Sequence, residues 1–473
     1  MNIQNKKIAI IGGGISGLMA AYRLLMRRDD IEIILLERGK DIEKRTCPIL
    51  TKVSDRCLKC KQCAIMEGVA GAGAFSDGKY NITTEFGGWL QEILPDEVVL
   101  DYIEQADKIL VENGATTKRF KPSNELKKKC LQYDLHMLQS ECKHLGTDAN
   151  FDTMVKFVNH IKEFSNFSMR TSAEVVNVYD SEENNNVKVV ELADGEKIYA
   201  NIVIFAVGRA GSNFLQKWCN DNKIMLSNNQ VDIGVRVELP AMIWEDFEKK
   251  IYEPKIFYTT KGYGDKVRMF CFNGRGEVVA ENTSGVLTVN GHAYEAEEKK
   301  TNNTNFALLS TINFTHPFHE PIEYARHVAK LANMITGGGV IVQRLGDLEI
   351  GRRTDDSRLA KSTVKPSLRG AVAGDLSLCM PKRQLDNIIE TLHALDKIAP
   401  GTANGDTLLY GIECKYYSAR PETDLNFQLV GKPNYYAIGD GAGFTRSLAQ
   451  AAAHGLYVAD HIINTELESD NEQ

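Results

Sequence analysis

Residues 7–25 read KIAIIGGGISGLMAAYRLL, and the order of residue types in that stretch decides the fold. Lys7 to Ile11 is a short apolar run rich in isoleucine, the composition of a strand buried on both faces. It breaks into Gly12-Gly13-Gly14-Ile15-Ser16-Gly17, and an apolar helix follows from Leu18 to Leu25. Gly12 permits a tight turn, Gly14 lets an anion approach the backbone, and Gly17 lets the helix pack on the strand. The unpaired N–H groups of the first helical turn then face that anion. A second strand, Ile31 to Leu36, ends in Glu37, placed to accept hydrogen bonds from a ribose diol. A pyrophosphate site followed by a ribose site specifies a dinucleotide. Gly12, Gly14, Ser16, Gly17, Glu37 and Arg38 form the expected contact set, and they do not separate NAD from FAD.

The opposite end of the chain supplies the distinction. Residues 434–443 read NYYAIGDGAG, again a strand and a glycine turn, and a helix is expected from about Thr445 through Ala451, Ala452 and Ala453 to Ile463. This resembles the second flavin motif of the glutathione-reductase-like flavoproteins. The resemblance implies that Asp440 holds a ribityl chain, with Gly441 and Gly443 shaping the turn, so that both ends of the chain clamp one FAD. Between them, residues 202–211 (IVIFAVGRAG) are similar to the third signature of the same flavoproteins and bring in Gly208. A hairpin over 187–192 and 197–199 precedes it, and Val175 joins the expected contacts. No second complete glycine fingerprint with a downstream acid is present, so no dedicated NAD(P)H domain is expected and the electron donor stays open.

After Glu37 come Cys47-Pro48 and then Cys57-Leu-Lys-Cys60-Lys-Gln-Cys63. Consecutive C-x-x-C steps suit a [4Fe-4S] cluster with Cys47 as fourth ligand. Structural zinc is a second reading, and a redox-active dithiol a third. Lys59 and Lys61 favour thiolates in all three and do not discriminate. Residues 68–79, GVAGAGAFSDGK, are too small-sided to build a core and too apolar for a solvated linker, which fits close backbone approach to a flat ligand. In glutathione-reductase-like folds such a loop passes along the pyrophosphate and the isoalloxazine edge. That resemblance implies contacts from Gly73, Phe75, Ser76 and Asp77, with Lys79 facing the flavin or a substrate anion.

The progression CP, C-x-x-C-x-x-C, GAGAFSDGK resembles a prokaryotic family of uncharacterised FAD-dependent dehydrogenases. Residues 231–238 (VDIGVRVE), 408–415 (LLYGIECK) and 439–446 (GDGAGFTR) extend the resemblance over nearly the whole chain. It implies a fold and FAD more directly than a reaction.

The expected class is α/β: a discontinuous Rossmann-like FAD/NAD(P)-binding domain, a second mixed β-sheet substrate domain, and a helical insertion. FAD-binding parts are expected at 1–85, including the cysteine-rich loop 47–63, at 166–215 and at 376–473. The insertion is expected at 86–165, with helices over 96–113, 124–142 and 152–164 capped by Asp96 and Asp152. A substrate or cap domain is expected at 216–375, its strands including 232–238, 267–272, 285–290 and 306–314, and a helix at 386–398 precedes the return to the FAD-binding part.

Candidate catalytic groups are Arg446 and His454 on the C-terminal helix, and Lys79. A helix-packed histidine is the competing reading of His454, and a surface lysine that of Lys79. Arg352 and Arg353 beside Asp355 and Asp356 suit either an anion site or an ion-pair cluster. His316 and His319 flank Pro317 in a position to share a pocket, and Glu413, Cys414 and Lys415 fall at an expected strand end.

A net charge of −7 without a basic run sets nucleic acid aside as the expected partner. No stretch approaches the length of a membrane helix, and MNIQNKK runs into a strand without a signal-peptide pattern, so a cytoplasmic enzyme with no membrane partner is expected. The expected function is a dehydrogenase or reductase passing hydride between a small organic molecule and flavin N5. Its electron carrier would be ferredoxin, fed through an iron–sulfur relay, or NAD(P)H. A flavin monooxygenase and a flavin-dependent RNA-modifying or RNA-binding protein are the alternatives.

Overall fold

The computed structural model describes residues 6–48, 51, 53, 58, 60–138, 140–184, 186–283, 285–294, 296–314, 318, 320–465 and 467. Cys57, His316 and His319 lie outside the described residues. The chain divides into two compact units, one of Met1–Lys118, Lys143–Asn229 and Tyr417–Gln473, the other of Arg119–Cys142 and Gln230–Tyr416.

The first unit is built on a five-stranded parallel sheet. Its elements are β1 (Lys6–Ile11), α1 (Ile15–Arg27), β2 (Ile31–Glu37), α2 (Asp96–Glu112), α3 (Thr147–Lys162), β3 (Phe167–Thr171), β4 (Ile202–Phe205), α4 (Ser212–Asp221), β5 (Tyr435–Ala437) and α5 (Leu448–Thr465). The strand order is β5-β4-β1-β2-β3, and Ile8 pairs with Ile202 on one side and Ile33 on the other. Strands covered on both faces must be apolar throughout, and Ile8, Ala9 and Ile10 of β1 are fully buried. Sequence order reverses at β1, whose neighbours are β2 and β4, so a crevice opens beyond its C-terminal end.

Helix α1 packs against α5 at backbone distance. A Cβ at Gly455 would stand 2.1 Å from the Ser16 carbonyl oxygen, and one at Gly17 would stand 2.3 Å from that of Gly12. Glycine at these two positions is a packing requirement. The expected hairpin is present as Lys188–Leu192 and Lys197–Ala200, extended by Val175–Asp180 into a three-stranded sheet.

The second unit contains an eight-stranded sheet in the order Val372–Ala373, Ile341–Arg344, Leu408–Lys415, Val231–Pro240, Asn303–Ile312, Lys266–Asn273, Ile256–Thr259, Leu135–Met137. Helices Pro321–Ile335 and Lys382–Asp396 contribute their apolar faces to its core. Arg236 and Glu413, both fully buried on neighbouring central strands, form a two-bond ion pair at 2.8 Å.

Four expectations are corrected. The helix expected over 124–142 stops at Leu131; Asp134 takes φ 59° and the chain enters strand Leu135–Met137, so residues 119–142 belong to the second unit rather than to a helical insertion. Residues 376–416 group with the second unit and not with the FAD-binding part, because Leu408–Lys415 is a central strand of its sheet. Asp96 and Asp152 cap nothing: Pro95 and Gly146 occupy the cap positions of α2 and α3, with Asp96 in the first turn of α2 and Asp152 inside α3. Helix α5 starts at Leu448, where the Ser447 hydroxyl accepts the Gln450 N–H at 3.2 Å, so Arg446 precedes the helix instead of lying on it.

Candidate functional site: a dinucleotide cavity and a thiol cavity

Three turns at the C-terminal ends of β1, β4 and β5 meet. Gly12 has φ 110°, open to glycine and strained for other residues, and a Cβ there would stand 2.3 Å from the Ala206 carbonyl oxygen. A Cβ at Gly441 would lie 2.5 Å from the Gly208 oxygen, and one at Gly439 2.6 Å from Ser16 Oγ. The three glycine-rich segments singled out in the sequence are therefore in mutual contact, backbone to backbone at Gly12–Ala206 and Gly441–Gly208 and through the Ser16 side chain at Gly439.

They surround a cavity of about 520 Å³, within the range of small-molecule sites. Gly14 and Gly208 fit a dinucleotide by what they lack: a Cβ at either would meet no protein atom within 4 Å, so the wall is stripped of side chains there. Gly14 occupies the cap position of α1 without a side-chain cap bond, and no acidic residue sits in the first turn of that helix. The free N–H groups and the positive end of the helix dipole suit a pyrophosphate.

Of the sequence-derived contacts, Gly12, Gly14, Ser16, Glu37, Arg38, Gly73, Ser76, Val175, Gly208, Asp440 and Arg446 line this cavity. Gly17, Gly441 and Gly443 do not: the first two shape the backbone packing described above, and Gly443, at φ 74°, would bring a Cβ to 2.4 Å from the Ser418 oxygen. Phe75 lies under the Arg45 guanidinium, 4.7 Å from its ring centre. Asp77 and Lys79 pair with each other at 2.9 Å and are not among the lining residues. His454 is fully buried and also off the cavity. Its Nδ1 accepts the Gly439 N–H at 3.1 Å, the Phe427 ring packs at 4.1 Å, and burial pulls its pKa down to about 3, so it stays neutral.

Glu37 serves more groups than the sequence suggested. One carboxylate oxygen accepts the Gly13 N–H at 2.8 Å, and the other accepts those of Gly39 at 2.7 Å and Gly68 at 3.1 Å. It therefore ties the glycine turn to the loop entering the GAGAFSDGK segment while lining the cavity. That segment then follows the cavity wall. The Ala70 N–H donates to the Gly13 oxygen at 2.7 Å, Gly71 lies against Gly14, and Gly73 lies against Leu448. Glu37 thus marks one end, and Asp440, Arg446 and Leu448 the other. Burial pushes the Asp440 carboxyl above the usual range, opposed by Arg446, Arg209 and the Thr445 hydroxyl, which donates to it at 2.7 Å.

Arg45, which carried no signal in the sequence, organises the adjoining loop. Its guanidinium donates to the carbonyl oxygens of Ala64, Ile65, Val69 and Gly71 at 2.7–2.9 Å. Burial lowers its pKa to about 10, with Glu37 and Cys63 opposing. A second cavity, about 280 Å³, is lined by Cys47, Cys60 and Cys63 together with Lys40, Arg45 and Glu67. Glu67 also lines the dinucleotide cavity, where it pairs with Arg38 at 3.0 Å. Among the described residues no three His, Cys, Asp or Glu side chains stand close enough to hold a metal ion, and Cys47, Cys60 and Cys63 are free thiols.

The remaining candidates are tied into the second unit. Glu413 pairs with Arg236 and Lys415, and burial pushes the Cys414 thiol up to about 12. Arg352 pairs with Asp347 at 2.6 Å, and Asp355 caps helix Asp356–Lys361. Among the described residues no helix is long and apolar enough to cross a membrane.

Residues 230–416 match the family of FAD-dependent proteins, C-terminal domain-like, and residues 10–42 match the NAD(P)-binding Rossmann-like domain. An uncharacterized protein of Clostridium beijerinckii is 26% identical over 474 residues, covering 96% of this chain and 80% of that one. Among solved structures, glycine oxidase from Geobacillus kaustophilus is 12% identical with a TM-score of 0.40, covering 97% of this chain and 95% of that one. A variant of E. coli quinol fumarate reductase FrdA is 12% identical with a TM-score of 0.42, covering 98% and 71%. The matches are to an FAD-dependent protein and to a Rossmann-like dinucleotide-binding domain, and both agree with the glycine cradle.

Proposed function

We propose that the protein is an FAD-dependent dehydrogenase or reductase acting on a small organic substrate. The observation that carries this is the cavity walled by three glycine turns, open at Gly14 and Gly208, with Asp440 and Arg446 at the end opposite Glu37. Bound there, FAD supplies hydride chemistry at its flavin N5. Gly12, Gly14 and the α1 N-terminus hold the pyrophosphate, Glu37 and Arg38 hold the adenosine end, and Asp440 holds the ribityl chain. Arg446 is a fixed positive charge at the flavin end, suited to an anionic substrate or to negative charge developing on the ring.

The cysteine loop enters this reading as thiol chemistry in preference to a [4Fe-4S] relay or zinc. Its cavity adjoins the dinucleotide cavity through Glu67, at the Glu37 end, so the cysteines stand by the adenosine and away from the end assigned to flavin. NAD(P)H arriving from solution is accordingly the electron donor favoured over ferredoxin.

The test is anaerobic purification followed by visible spectroscopy, identification of the released flavin, iron and zinc content, and reduction by NADH and NADPH. FAD at one per chain, reduced by a nicotinamide without oxygen uptake, is the expected result. Iron near four per chain would restore the relay, oxygen uptake coupled to NAD(P)H would make the enzyme a monooxygenase, and salt-sensitive RNA binding would favour the RNA-directed reading. Absence of FAD would overturn the proposal.

A further inference from the structure

The second cavity and the dinucleotide cavity are two faces of one segment, residues 63–71. On the thiol side the Cys63 carbonyl accepts the N–H groups of Met66 at 3.0 Å and Glu67 at 2.8 Å, and the Arg45 guanidinium gathers four carbonyls of the same segment. On the dinucleotide side Gly68 donates to Glu37, Ala70 donates to Gly13, and Glu67 pairs with Arg38. The fit is tight, since a Cβ at Gly39 would stand 2.5 Å from the Gly68 nitrogen. Close-packed segments do not absorb added volume without shifting.

The described thiols bordering this segment are accessible. Cys60 is exposed and Cys47 and Cys63 are half-buried, whereas burial pushes Cys130, Cys219, Cys379 and Cys414 up to about 12. Two cations, Lys40 and Arg45, line the cavity with these thiols, and Glu67 lines it too, paired with Arg38.

We propose that this cavity is a thiol-modification site for low-molecular-weight disulfides, and that modification at Cys63 weakens FAD binding by displacing the turn that carries Glu67 and Gly68. The inference rests on the cavity beside Glu37 being the FAD site. In the exchange the Cys63 thiolate attacks one sulfur of the small disulfide. A new S–S bond forms at Cys63, the reagent's S–S bond breaks, and its other half leaves as a thiolate that takes up the proton lost by Cys63. Cys63 is oxidised and the reagent reduced. Attack by Cys60 on the mixed disulfide then expels the second half and leaves a Cys60–Cys63 bond.

The full chain, reduced and then treated with oxidised glutathione, is titrated with FAD by fluorescence, and the modified peptide is located by mass spectrometry. The expected result is an adduct at Cys63, or the Cys60–Cys63 bond. The FAD dissociation constant should rise roughly tenfold, dithiothreitol should restore it, and Cys63→Ser should not respond. If that variant does not fold, reversal by dithiothreitol in the unsubstituted chain decides. A modified Cys63 with unchanged FAD affinity overturns the proposal, and so does modification confined to Cys57 or Cys271. Protection of Cys63 until a chelator is added overturns it in favour of a metal. A reduced chain that binds no FAD overturns the cofactor assignment itself, and is told apart because it fails before any thiol is modified.

Discussion

Gly14→Ala separates the fold from the cofactor site. Gly14 has φ −73° and ψ 176°, which alanine adopts freely, and its Cβ would meet no protein atom within 4 Å. The only structural loss is a cap residue: glycine is tolerated at a helix N-cap and alanine is not, at a cost of about 1 kcal/mol. In the FAD complex the added methyl group occupies the space through which the pyrophosphate approaches the α1 N-terminus. Forcing a carbon into a filled site costs about 1–3 kcal/mol, which is roughly 5- to 150-fold in dissociation constant. The assay is FAD titration by fluorescence, paired with thermal unfolding with and without FAD. At free FAD about 100 times its dissociation constant, the unsubstituted protein gains about 2.7 kcal/mol. A 100-fold weaker variant at the same concentration retains only about 0.4 kcal/mol of that. An alanine variant that binds FAD within about twofold of the unsubstituted protein would refute the placement of the pyrophosphate at Gly14.

Three further substitutions probe other parts of the molecule. Gly17→Ala brings a Cβ to 2.3 Å from the Gly12 oxygen, so it lowers the stability of the apoprotein itself, by about 1–3 kcal/mol in denaturant unfolding. His454 stays neutral in the folded chain with a pKa near 3, against about 6.5 when unfolded. Below pH 6.5 the unfolded state therefore takes up a proton that the native state refuses, and between pH 8 and pH 5 this removes about 2 kcal/mol of stability. His454→Asn, whose side-chain oxygen still accepts the Gly439 N–H, flattens that part of the pH profile, and an unchanged slope would count against the buried neutral assignment. Arg45→Lys keeps the charge but cannot reach four carbonyls from one ammonium group, so it costs about 1–3 kcal/mol in stability and weakens FAD binding in the same titration.

The sequence is most readable where structure is local. A buried strand, a glycine turn and an apolar helix are contiguous in residues 6–27, and the same pattern recurs over 434–465, so the turns walling both ends of the dinucleotide cavity are legible without any tertiary contact. The segment after Leu131 reads as helix in the sequence because Leu126 and Cys130 carry helical spacing, while the strand that follows is defined by pairing with 256–258 across a long sequence separation. The cysteine cluster was conspicuous, but what it borders was not. That depends on Arg45, whose four carbonyl partners lie 19 to 26 residues away and leave no periodic trace.

Glu37 shows why a correctly located motif residue can still be incompletely read. The fingerprint assigns its carboxylate to a ribose, and a carboxylate has about four acceptor positions. Three are used by Gly13, Gly39 and Gly68. Its capacity for a ribose hydroxyl is therefore limited, and its orientation is fixed by the loop that also forms the wall of the thiol cavity. Removing the carboxylate would release three buried N–H groups as well as a ligand contact, so its loss would be felt as instability before it was felt as affinity. On the proposed placement of FAD, the adenosine end would be held by the glycine turn and by the segment beginning at Gly68 together. On that placement, an event that moves the segment is expected to change FAD affinity even if it touches no atom of the cofactor.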